Sequence, residues 1–77
     1  MTGARLAAIG RILFGGFYRA DFERHFALSN RSLRRMLAGE QPIPIGLIRD
    51  LETALRDKAN KIDEILETLV DETEETA

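Results

Sequence analysis

At 77 residues the chain is long enough for one small domain with a modest core, and its 44% apolar and 31% charged residues are ordinary for a soluble globular protein. The lack of cysteine excludes disulfides and thiolate chemistry, and a single histidine, His25, excludes a multi-histidine metal site. The net charge of −2 conceals a split: residues 1–49 set eight arginines against Asp21, Glu23 and Glu40, for +5, whereas residues 50–77 set Arg56, Lys58 and Lys61 against ten acids, for −7.

Residues 4–14, ARLAAIGRILF, repeat apolar side chains at Leu6, Ile9 and Leu13 with Ala8 and Ile12 alongside, which predicts a first helix. Thr2 is its expected cap, and Gly15-Gly16 its end. The segment is too short to span a bilayer and is interrupted by Arg11, so it reads as a core helix and not as a membrane anchor or signal segment. Gly15-Gly16 lacks the preceding strand and the following Gly-Lys-Ser/Thr of a phosphate loop. Phe17 and Tyr18 are expected in the core, because a domain this small needs their area.

Phe22 and Phe26, four apart, mark a second short helix over residues 19–27, with His25 on its exposed side. A third helix is predicted from Ser29 to Ala38. At about 100° per residue, Asn30, Arg31, Arg34, Arg35 and Ala38 share one arc, and Ser32, Leu33, Met36 and Leu37 the other. Ser29 is a natural N-cap, and Gly39 suits a left-handed residue after the last turn. Two short helices joined at Ala27-Leu28-Ser29 make a helix-turn-helix whose second helix offers three arginines to solvent.

Gln41-Pro42-Ile43-Pro44 is a rigid turn, with Pro44 expected at the first position of the next helix. Apolar residues then follow at 45, 48, 51, 55, 59, 62, 65, 66 and 69, of which 48, 51, 55, 62, 65 and 69 form a heptad series that Lys58 interrupts. An unbroken helix over 44–70 would be about 40 Å long. Three short helices cannot cover that length, which leaves apolar surface for the same helix of a second chain. Asn60 is the candidate break, and the pattern is compatible with one helix or two. Residues 71–77, DETEETA, are acidic and without large apolar side chains, and disorder is expected there. The predicted fold is therefore all-α: a four- to five-helix bundle over residues 1–70 with a central helix-turn-helix and a long C-terminal dimerisation helix.

Residues 19–44 resemble the Cro and lambda-repressor-like helix-turn-helix proteins. The family's buried positions fall on Phe22, Phe26, Leu28, Leu33 and Met36, all apolar; Ser29 matches the polar residue opening the recognition helix, and Gly39 with Pro42 and Pro44 is similar to the family's exit. Glu23 stands where the family prefers a small residue, and Ala27 where its turn usually has glycine, a departure that implies a slightly different turn geometry or about 1 kcal/mol of strain. The resemblance implies sequence-specific binding of double-stranded DNA by a homodimer, commonly a cytoplasmic repressor of a phage or mobile element acting on its own operon.

Within that reading, Asn30, Arg31 and Arg35 are the expected base contacts, because asparagine pairs with adenine and arginine with guanine through two bonds. Arg34 is placed on a base or a phosphate. Arg19, Ser29, Ser32 and the amides opening the third helix would hold phosphates. Leu55, Ile62, Ile65, Leu66 and Leu69 are the expected dimer interface. No cofactor, metal, membrane or small-molecule substrate is expected, and an enzyme is not, since no nucleophile and base pattern is present. The competing expectation is a helical protein-interaction module, antitoxin- or adaptor-like, with no DNA readout.

Overall fold

The computed structural model describes the backbone of residues 1–76 and the side chains of residues 1–74. It holds four helices in the order α1 (Gly3–Phe14), α2 (Tyr18–His25), α3 (Asn30–Leu37) and α4 (Ile45–Thr76), with no strand among the described residues. Each helix gives the core two side chains: Leu6 and Ile9, Tyr18 and Phe22, Leu33 and Met36, Leu47 and Leu51. Burying such groups contributes about 1.5–3 kcal/mol each. Helix α1 touches the other three, and α2 packs on α3.

The predicted caps form. Thr2 Oγ1 accepts the Arg5 amide at 3.2 Å. The helix α1 ends at Gly15, whose amide donates to the Arg11 carbonyl at 2.9 Å. An aromatic group lies over that end: Phe14 meets Phe22 and Phe26 edge-on, with centroids 6.0 and 6.3 Å apart. His25 is exposed, as expected, but its ring also rests on Phe14 and Phe26 at 5.6 and 4.7 Å. Gly3 brings α1 against the end of α3, where a Cβ would run into the Leu37 carbonyl.

Three expectations are corrected. Phe17 is not in the core: it is 98% exposed, while Tyr18 takes the inward slot beside Gly10. Phe17 is the N-cap of α2, just outside the first turn, and so faces away from the packed side. Pro44 stands one place before α4 rather than inside it, its carbonyl accepting the Ile48 amide at 3.1 Å. Finally, α4 is one helix that passes Asn60 without a break and continues through Thr76, into the stretch expected to be disordered; Ala77 lies outside the described residues. After Gly46 nothing in the sequence breaks a helix, and extending an existing helix carries no nucleation cost. Threonine hydroxyls along it bond back to carbonyls one turn earlier, Thr68 to Ile65 at 2.7 Å and Thr73 to Leu69 at 2.9 Å.

At about 1.5 Å per residue the 32-residue α4 is about 48 Å long. It accounts for most of a molecule measuring 54 × 22 × 20 Å. The compact head ends near Lys58, and every described residue from Ala59 onward is exposed. Among the described residues no helix is long and apolar enough to cross a membrane.

Candidate nucleic-acid interface

The turn between α2 and α3 is held by backbone geometry. Ala27 has φ 53°, and beyond it the Leu28 amide donates to the Glu23 carbonyl at 2.9 Å. That bond, together with the left-handed residue before it, is a Schellman ending to α2. Ser29 then starts α3, its Oγ accepting the Ser32 amide at 3.1 Å. The helix closes with a second Schellman ending: Gly39 has φ 78°, its amide donates to the Met36 carbonyl, and the Glu40 amide to the Arg35 carbonyl at 2.9 Å. Leu33 and Met36 are buried and Leu37 half-buried, so this short helix is fixed in rotation by its apolar arc.

Its other arc faces solvent. Arg31, Arg34 and Arg35 are exposed and, with Ala38 and Glu40, line one open depression. Neither they nor Arg19, exposed in the first turn of α2, takes part in an ion pair among the described residues. Ion pairs among the described residues include the surface contacts Arg24–Asp21 and Arg56–Glu52.

Asn30 is exposed at the start of α3 and is held: its Nδ2 donates to Glu23 Oε1 at 2.9 Å. The Glu23 carboxylate thus meets the amide at the protein surface. A carboxylate accepts and cannot donate, so the bond also fixes which end of the amide points at Glu23. One Nδ2 hydrogen and Oδ1 remain free to meet another group.

The other sequence-predicted positions separate into groups. Ser29 accepts the cap bond with one oxygen lone pair and keeps its O–H as a donor. Ser32 is half-buried on the apolar arc, the least accessible of the expected phosphate contacts. Leu55, expected at a dimer interface, is half-buried against the core of its own chain. Ile62, Ile65, Leu66 and Leu69 are exposed, with Val70 beside them, at 48–61%. The sequence reading missed two features. Glu40 places a negative charge inside the arginine depression, and Glu23 restrains Asn30. Both follow from chain geometry after a turn, which spacing along one helix does not report. Comparison with protein-family models, curated proteins and solved structures gives no match.

Proposed function

We propose that the chain is a sequence-specific double-stranded DNA-binding protein that works as a homodimer, with α3 lying in the major groove. The observation that carries this reading is the outer face of α3. Three exposed arginines without ion pairs among the described residues sit on the second helix of a helix-turn-helix whose inner face is fixed in the core. Arginine in this setting favours planar two-bond recognition over simple solubility. The uneven charge adds a long-range term, drawing a polyanion to the head and repelling it from α4.

Asn30 and Arg31, nearest the start of α3, read bases. Asn30 offers adenine the free Nδ2 hydrogen and Oδ1, with Glu23 holding the amide in place. Arg35 reads a base as well, and Arg34 a base or a phosphate. Arg19, the Ser29 hydroxyl and the first amides of α3 hold phosphates and set register. The dimer forms through the bare apolar stripe of α4. Fully burying each such side chain is worth about 1.5–3 kcal/mol, and roughly half of that remains to be gained at residues already half covered. Two-fold pairing presents two copies of α3 to a palindromic operator. Repression in the cytoplasm of a phage or mobile-element host is the role this arrangement fits, by resemblance.

Titration of fluorescent random-sequence duplex at increasing salt tests the reading. With 6–10 phosphate contacts, affinity falls about 10³–10⁵-fold between 50 and 200 mM salt. Absence of binding at the lower salt refutes it and leaves a helical interaction module. Ile62 and Leu66 replaced together by aspartate give a weakly DNA-binding monomer by light scattering and gel shift. A variant that remains dimeric places the interface elsewhere.

A further inference from the structure

The bare stripe on α4 is a continuation of its core face, and this limits how a second copy can lie on it. Eighteen residues of α-helix make five turns, so residues that far apart point the same way. Leu47 is 7% exposed and Ile65 is 61%; Leu51 is 1% exposed and Leu69 is 50%. Ile48, half-buried, stands in the same relation to the exposed Leu66. The first partner of each pair is covered by its own head, and the second is covered by nothing among the described residues. The head therefore sits on the same side of α4 as the stripe, one stem-length away.

Two copies paired side by side in parallel would bring both heads into the one space between the helices. Each head fills the side of its α4 toward which the other chain would lie. Turning one chain end for end removes the collision, because each stem then lies along the bare half of its partner and the heads occupy opposite ends. Charge agrees with this arrangement. Arg56, Lys58 and Lys61 outnumber Asp57 at the head end of the stem, whereas Asp71, Glu72 and Glu74 stand at its far end. Parallel pairing sets acid beside acid, and antiparallel pairing sets the acidic end of one chain beside the basic end of the other. Lys58 also marks where the head stops, its ammonium lying 3.5 Å from the Leu13 carbonyl at the negative end of α1.

Resting on the dimer reading above, we infer that the stems pair antiparallel, with a second copy of this chain as the occupant of the stripe. The partner's stem abuts the head at about Ala59, which sets Leu66 across from Leu69 and Ile62 across from Thr73. The two α3 helices then stand at opposite ends of a shared stem about 27 Å long, so the stem sets the distance between operator half-sites.

The chain has no cysteine, so single cysteines report the pairing directly. Ile62→Cys and Thr73→Cys chains carrying tags of different size are treated with a short bismaleimide, alone and mixed. The expected result is a linked heterodimer from the mixture and little product from either chain alone. Efficient linking of Ile62→Cys to itself shows a parallel pair and overturns the orientation while leaving the dimer intact. A monomer by light scattering, with no link in any mixture, overturns the dimer reading itself. A dimer that gives neither link places the interface off the stem and overturns the proposal too. Binding to random duplex, measured on the same samples, separates any of these outcomes from failure of DNA binding.

Discussion

Among the described residues Ala27 is the one other than glycine with positive φ, and it stands at the turn that aims α3. Replacing it with glycine removes the clash of a Cβ in the left-handed region, which costs an L-residue about 1–2 kcal/mol. Against this, glycine loses more backbone freedom on folding, about 0.5–1 kcal/mol relative to alanine. Ala27 is exposed, so little packing is lost with its methyl group. The balance is a stabilisation of about 0.5–1 kcal/mol. For a domain of this size it raises the melting temperature by roughly 2–8 °C. Urea denaturation followed by circular dichroism, at fixed protein concentration, measures it as a higher midpoint with an unchanged slope. DNA affinity should stay the same, because the Schellman geometry is retained. The reverse substitution supplies the control: Gly39→Ala, at φ 78°, should destabilise by about 1 kcal/mol. A lower midpoint for Ala27→Gly, or no cost for Gly39→Ala, would show that the two turns are not held as described.

Arg31→Ala and Arg35→Ala should each weaken the preferred site by about 1–3 kcal/mol while changing random duplex less, whereas Arg19→Ala should weaken both alike; competition titrations with the selected site and random DNA decide between the assignments. Glu40→Gln, by removing the acid from the arginine depression, should tighten random-duplex binding by roughly 0.2–1 kcal/mol, and the gain should shrink at high salt. If affinity is unchanged at low salt, the phosphates do not pass near Glu40. Gly3→Ala forces a methyl group toward the Leu37 carbonyl and should destabilise by about 1–3 kcal/mol in urea, on the scale of an overpacked core. A neutral result there would mean that α1 can slide along α3 at little cost.

What could be read from the chain alone were the features decided within one helix or one turn. The apolar spacing of Leu33 and Met36 forces one side of α3 inward, and the arginines between them must then face out. Ser29, Gly39 and Thr2 were legible because a cap or a left-handed ending depends on neighbours three or four residues away. The all-helical class followed from the same local periodicities. The tertiary structure decided what depends on residues far apart in the chain. Two adjacent aromatics compete for one inward slot, and the space beside Gly10 admits Tyr18 and leaves Phe17 outside. Glu23 and Asn30 are seven residues apart on different helices, and only the turn between them brings carboxylate to amide. The extent of α4 also lay beyond local reading, because acidic composition weakens a helix end without terminating it. Sequence supplied an apolar series along α4 from Ile45 to Leu69, interrupted at Lys58. Only packing decided where cover stops, because α1–α3 are short helices that reach no further than Lys58 along a helix of about 48 Å.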